Sequence, residues 1–347
     1  MARLPLDPRH GIHEPTTATP PRALGSVRRT TTVDMLRPHG VDAELVLVGA
    51  GRDLRTSPDG EPIVLDTGAF AATVDYPNAQ MVLALTTTPA IDGLDRLVGR
   101  SASTGFRAAL NDVVAGQELV GQPVYQLLDD LPVATLISGF APQHARAESG
   151  EWGLGGERPI QRRAPDGLAL IQQADLCAGW KAGGTIMQGF ADGLPPVVTG
   201  PDAPSLECDH DPWAWHDYDI TLPPHGMRRR RRIDVARGTD AVTVHVDAHF
   251  RDSYMSGDGE ETVVHEYTVA VVLDARDHRV RESVATPHVL PWFECPEAAA
   301  SAGRLVGGTL DGLRTSVRAE FLGATTCTHL NDALRALQDV SVLAGHL

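Results

Sequence analysis

The sequence predicts an α+β fold built as tandem duplicated units, each an antiparallel β-meander followed by helices packed on one face. Three observations predict it. In the second half, period-two strand patterns precede helical ones. Short blocks recur about two hundred residues apart. The chain, at 347 residues, is long enough for more than one core. The blocks are specific. Arg28-Arg29-Thr30-Thr31-Thr32-Val33-Asp34 returns as Arg228-Arg229-Arg230-Arg231-Arg232-Ile233-Asp234. Asp42-Ala43 followed by Arg52-Asp53 returns as Asp240-Ala241 followed by Arg251-Asp252. Leu97-Val98-Gly99 and Gly105-Phe106-Arg107 return as Leu305-Val306-Gly307 and Gly312-Leu313-Arg314.

Residues 1–24, with Pro5, Pro8, Pro15, Pro20 and Pro21 and no apolar signal core, read as a disordered or draped arm. A degenerate first copy spans 25–140, and a connector packing between the copies spans 141–226. A second copy, carrying the candidate site, spans 227–347. In that copy Val242–Phe250 alternates, with Val242, Val244, Val246, Ala248 and Phe250 on one face. Ser256-Gly-Asp-Gly259 marks a turn, and the β-branched run Thr262–Leu273 is the partner strand. Asp274–His278 is the next turn, before a strand over Arg279–Val289. Pro296–Leu305 is alanine-rich with proline in its first turn, which predicts a helix. Leu310–Leu322 and His329–Leu343 carry apolar residues three and four apart and predict two more. The connector holds an apolar stretch over Gly167–Trp180 and two tryptophans, too hydrophobic for a free linker.

Composition narrows the function. A net charge of −15 opposes polyanion binding, and no apolar run is long enough to span a bilayer. Nucleic acid and membrane are therefore not expected as partners; a small-molecule substrate is. The Arg228–Arg232 run does not overturn this, because on a strand alternate arginines face opposite ways. Cys177, Cys208, Cys295 and Cys327 are too few for a disulfide scaffold, which with the missing signal predicts a cytoplasmic protein. Lys181 is the only lysine, and there is no nucleotide, flavin or pyridoxal motif.

Residues present in both copies are read as scaffold, and reactive ones present in one copy as site. Cys295, Cys327 and His329 occur only in the second copy; Thr87, Tyr125 and Leu127 stand at the aligned positions of the first. A cysteine at a helix N-terminus can be activated for attack or metal binding, or be simply a small buried hydrophobe. His245, Asp247, His249 and Arg251 share a strand face, and His265 and Glu266 are expected across the turn near His249 and Phe250. A solvated outer face is the alternative. Arg251 and Asp252, matched by Arg52 and Asp53, also read as a structural ion pair or turn. Trp213, Trp215 and His216 either line an aromatic pocket or anchor the connector.

The second half resembles the family known as domain of unknown function 2889. The residues that carry the likeness are the arginine run to Asp234, Phe250-Arg-Asp252, Val264-His265-Glu266, and the Pro291–Pro296 stretch with Cys295. Leu305-Val-Gly307 and Cys327-Thr-His-Leu330 complete it. The resemblance implies that Asp252, His265, Cys295, Cys327 and His329 belong to the family pattern; it implies no activity. Glu294–Gly307 and the segment opening at Cys327 are also faintly similar to iron–sulfur scaffolds of the NifU and IscU type, an analogy of fold.

The expected function is cofactor-independent proton transfer, of lyase, isomerase, hydratase or cyclase type, on a small, apolar or aromatic substrate. His265 is its general base, with Asp252 as partner and Cys295 or His329 as second proton carrier. Trp213, Trp215, His216 and Arg251 would bind the substrate. One alternative is a zinc or iron protein using Cys295, Cys327 and His329. The other is a non-catalytic interaction module. The chain is expected to be a monomer with pseudo-dimeric copies or a homo-oligomer.

Overall fold

The computed structural model describes residues 4–150, 173–208 and 210–347. Its fold is mixed α and β, dominated by one antiparallel sheet. The strands are β1 (Ile12–His13), β2 (Ser26–Leu36), β3 (Leu45–Thr56), β4 (Pro62–Asp75) and β5 (Met81–Thr88). In the second half they are β6 (Met227–Arg237), β7 (Thr243–Met255), β8 (Glu261–Asp274) and β9 (Val280–Leu290). They lie in the order β1-β9-β8-β7-β6-β2-β3-β4-β5. Two four-stranded meanders thus meet edge to edge where β2 pairs β6, Thr31 opposite Arg231. Each strand that would have been an exposed edge there is paired by the other half, which removes an aggregation-prone border.

Helices follow each meander. The first half has α1 (Phe106–Val114), α2 (Pro123–Ile137) and α3 (Phe140–Glu148), and α4 (Thr185–Ala191) lies in the connector. The second half has α5 (Leu313–Glu320), α6 (Thr328–Ala336) and α7 (Val340–Ala344). Among the described residues, no helix is long and apolar enough to cross a membrane.

Strand alternation separates two environments. Val33, Met35, Leu45, Leu47 and Phe70 pack with Phe106, Leu127 and Leu131 under the first helices. Val246, Ala248, Phe250, Tyr267 and Val269 pack with Val317, Leu330 and Leu334 under the second. The opposite face is covered by the N-terminal arm and the connector. There Arg251 donates to the carbonyl oxygens of Pro204 (2.5 Å) and Thr16 (2.6 Å). Arg52 donates to those of Trp213 and Trp215, both at 2.8 Å. The arm adds β1 to β9, with Ile12 opposite Leu290. Its residues 1–3 and the connector's 151–172, including the start of the Gly167–Trp180 stretch, lie outside the described residues.

Three local expectations change. Pro296–Leu305 belongs to an eleven-residue 3-10 helix, Cys295–Leu305. Its small buried residues Cys295, Ala298 and Ser301 recur every third position, the period of that tighter helix. The last helical stretch is divided by a 3-10 turn, Leu337–Asp339. The β7/β8 register puts His265 opposite Asp252, Glu266 opposite Arg251 and Tyr267 opposite Phe250, with a bulge between Asp252 and Ser253. His265 and Glu266 are neighbours on one strand and so face opposite sides; Glu266 meets His249 at 2.7 Å as expected, and His265 lies on the other face.

Candidate functional site

The site begins with the arginine run. On β6, Arg229 and Arg231 turn toward the helices while Arg228, Arg230 and Arg232 turn away. Arg229 Nε and Nη2 donate to the two oxygens of Asp252 at 2.7 and 2.8 Å, and its Nη1 donates to Asp332 on α6 at 2.7 Å. Arg231 donates to Asp332 (2.8 Å) and Asp130 (3.2 Å). Asp252 is fully buried. Burial by itself would raise its carboxyl, but Arg229 and His265 outweigh burial and hold it far below the usual carboxylate range. Asp252 is a fixed anion.

His265 takes its place from the bulge. Its Nδ1 lies 3.5 Å from Asp252 Oδ2, and its side chain keeps 12% of its exposure. The imidazole of His329, in the first turn of α6, stacks on that of His265, ring centroids 3.6 Å apart and 21° from parallel. Burial, and then the charge of His265, push His329 well below the usual histidine range, so it is a neutral base. One ligand atom from each of Asp252, His265 and His329 lies within 4.8 Å of the other two. This is a two-histidine, one-carboxylate set of a kind that holds divalent transition metals.

Thiols border the rings. Cys327 Sγ is 3.9 Å from His329 Nδ1. Burial and nearby Cys177 push the Cys327 thiol up to about 12. Cys295 is held well above the usual thiol range by burial and by Cys327 and Cys177. Among the described residues the buried Tyr267 hydroxyl has no hydrogen-bond partner, and its phenol is raised by burial and by the Cys327 and Cys295 thiols. These groups are neutral at physiological pH. The arm contributes His10, which is 2% exposed and, among the described residues, has no hydrogen-bond partner at either ring nitrogen. Burial, then His13 and His265, lower its imidazole to about 3.

Of the sequence candidates, Asp252, His265 and His329 come together, and Cys295 and Cys327 lie in the adjoining thiol group. Among the described residues, Asp252, His265 and His329 each place a ligand atom within 4.8 Å of the other two. Arg251, Trp213, Trp215 and His216 are on the opposite face of the sheet. Arg251 binds Glu266 at 3.0 Å, and Glu266 also binds His249 at 2.7 Å. Trp215 Nε1 donates to Thr19 Oγ1 (2.9 Å) and the Leu206 carbonyl (2.7 Å), and His216 Nδ1 lies 2.9 Å from Thr30 Oγ1. Trp213, 38% exposed, sits beside the Arg52 guanidinium. Sequence reasoning missed Arg229, Tyr267 and His10. Arg229 had a signal: alternation along β6 sends Arg229 and Arg231 to the helix-covered face, where each needs a carboxylate.

No curated protein and no solved structure matches the chain. Residues 227–343, which contain Arg229, Asp252, His265 and His329, match the model of a family described as "Protein of unknown function (DUF2889)", so the second half of the chain is similar to that family.

Proposed function

We propose that this chain is an enzyme that moves a proton on a small organic substrate, with His265 as general base. The observation that carries the reading is the Asp252–His265 pair at 3.5 Å, one member fully buried and the other reaching solvent. With the Asp252 anion beside Nδ1, the tautomer protonated on Nδ1 leaves Nε2 as the nitrogen that can take a proton from substrate. His329, stacked on the same ring and neutral, is the second proton carrier. The raised thiols of Cys295 and Cys327 are proton donors, not nucleophiles, because a nucleophile needs thiolate. Lyase and isomerase chemistry needs this combination of one oriented base and nearby neutral acids.

The test is deuterium exchange followed by NMR. Small ketones, enoyl acids and phenols are incubated in D2O with the wild type, His265→Ala and His329→Ala. The proposal expects exchange of an acidic C–H in at least one probe, lost in His265→Ala and reduced in His329→Ala. Exchange retained in His265→Ala sinks it.

A second reading has its own observation. The convergence of Asp252, His265 and His329 within 4.8 Å supports a divalent metal site. Elemental analysis of freshly purified protein checks it: stoichiometric zinc or iron, lost in His265→Ala/His329→Ala, favours this reading and makes the proton chemistry metal-assisted.

We also infer that the halves are two copies of one unit, the first having lost the reactive groups. Several matched details support this. Gly105 and Gly312, with φ of 75° and 72°, each open a helix, and Gly99 and Gly307 have φ of 80° and 85°. Gly99 N–H donates to the Val82 carbonyl and Gly307 N–H to the Val280 carbonyl, both at 2.8 Å. Such left-handed positions favour glycine, and independent origins would have little reason to share them.

A further inference from the structure

We propose that the cavity between α1 and α2 of the first half and α5 and α6 of the second is a binding site for a small organic anion. It is about 410 Å³ in volume and is lined by Arg107, Arg314, Arg318 and Arg335 against a single carboxylate, Asp129. That volume suits a molecule of metabolite size.

The wall is built, not incidental. Arg314 and Arg335 are 7% and 6% exposed. Arg335 Nη2 donates to Asp129 Oδ1 at 2.9 Å, and Arg314 is clamped to Asp339 at 2.6 and 2.9 Å. Arg107 Nη2 donates to Asp332 Oδ1 at 2.9 Å. These carboxylates fix the guanidinium planes without using every donor: Arg314 Nε lies 3.5 Å from Asp129 Oδ2, and the buried Nε of Arg335 has no hydrogen bond among the described residues. Buried donors that lack a partner are costly, and an oxyanion supplies one. Arg318 is exposed at the rim and, among the described residues, has no ion pair or hydrogen bond.

The remaining lining defines the body that an anionic head would carry. Val114 and Val120 form an apolar side, and the Tyr125 ring lies 5.0 Å from the Arg314 guanidinium. A carboxylate or phosphate at the arginines, on a short hydrocarbon or aromatic body, satisfies both parts. Three of the four arginines are balanced by the carboxylates behind them, so Arg318 at the rim supplies the net positive charge of a recess in a chain of net charge −15. This site does not depend on the proton-transfer reading, and His265 is not part of it.

Isothermal titration of the full chain with inorganic phosphate, succinate and benzoate tests the proposal. Arg318→Glu and Val120→Trp serve as variants, since both positions are exposed and neither side chain belongs to the buried ion-pair network. Saturable binding of at least one probe is expected, weakened about tenfold or more by Arg318→Glu and lost in Val120→Trp, which fills the cavity. His265→Ala should bind like the wild type. A response to phosphate alone assigns a phosphoryl head, and a response to the acids alone assigns a carboxylate. No saturable binding of any probe at millimolar concentration overturns the proposal, as does binding unchanged in both variants.

Discussion

Arg229 grips Asp252 through two parallel hydrogen bonds of 2.7 and 2.8 Å, and Arg29 grips Asp53 in the same manner at 2.7 and 2.6 Å. The two pairs differ in what stands across the next strand. Asp252 is opposite His265, whereas Asp53 is opposite Asp66, in each case beside a bulge. The carboxyls shift in opposite directions as a result. Burial is the largest influence on both; it wins at Asp53, where Asp339 and Asp66 reinforce it, and loses at Asp252, where Arg229 and His265 oppose it. One residue, His265 or Asp66, separates an arginine–carboxylate pair faced by an imidazole from one faced by a second carboxylate.

Neutralising these carboxylates should therefore have unequal effects at pH 7. Asp252→Asn leaves Arg229 with only Asp332 among its short-range anions and should cost about 3–5 kcal/mol. Asp53→Asn should cost less, since that carboxyl is already disfavoured as an anion. The pH dependence has a definite sign. Asp252 has a depressed folded-state value, so its contribution is present above the ordinary carboxylate pKa of about 4 and is lost as pH falls through the folded value. Denaturant midpoints for the wild type and both variants, measured from pH 7 downward, check both statements.

Asp66→Asn should stabilise the protein near neutrality. A like charge directly across a strand pair costs roughly 0.2–1 kcal/mol, and removing it should return about that amount. Because the Asp53 folded value is raised, its contribution is present below the ordinary carboxylate pKa and fades as pH rises through the folded value. The gain from Asp66→Asn should therefore be larger at pH 7 than at pH 4. An equal gain at both pH values would point to a cause other than charge.

At the β2/β6 seam the pairs are reciprocal: Arg28 binds Asp234 and Arg228 binds Asp34. Their exposures are not equal. The Asp234 side chain is 19% exposed, and Asp34 is completely buried. Arg228→Ala strands an anion without water, so it should cost about 3–5 kcal/mol. Arg28→Ala leaves a carboxylate that water can reach and should cost less. Equilibrium unfolding of the two variants decides the order.

Much of this architecture was legible in the sequence, for identifiable reasons. The meander of the second half was readable because Val244, Val246 and Ala248 alternate with polar residues, and its turns carry Gly and Asp. The Arg228–Arg232 run shows that a charge-rich segment can be an interior strand when each arginine, on either face, meets a carboxylate. Asp252, His265 and His329 could each be named, but their meeting depended on the β7/β8 register. That register is set by the length of the Ser256–Gly259 turn and a bulge that leaves no composition signal. The arm was less readable still. Gly11 is required because a side chain there would meet the Trp292 carbonyl oxygen at 2.0 Å, a contact created entirely by distant chain.

Acid should destabilise the fold well before the carboxylates titrate. Burial lowers His216 and His10 to about 3 from an ordinary value of 6.5. The unfolded chain takes up these protons below about pH 6.5 while the folded chain does not, so stability falls as pH drops. The steepest contribution is about 1.4 kcal/mol per pH unit for each histidine. His216→Asn, which keeps a polar group near Thr30, should flatten the limb between pH 6 and 4 by up to one such contribution. Unfolding midpoints across that range test it, and an unchanged slope refutes the assignment to His216.

The cysteines should differ sharply in reactivity. Cys177, Cys295 and Cys327 are buried, and burial is the leading cause of the raised thiol in each; Cys208 is half-buried. Alkylation requires both access and thiolate, and the three buried thiols have neither at pH 8. Brief iodoacetamide treatment of native protein should label Cys208 first, with labelling of the other three only after denaturation. Peptide mass spectrometry reads the sites directly. Rapid native labelling of Cys327 would mean that the thiol next to His329 is a reachable thiolate. It would then be a candidate nucleophile, and the division of roles that makes His265 the base and the thiols proton donors would fail.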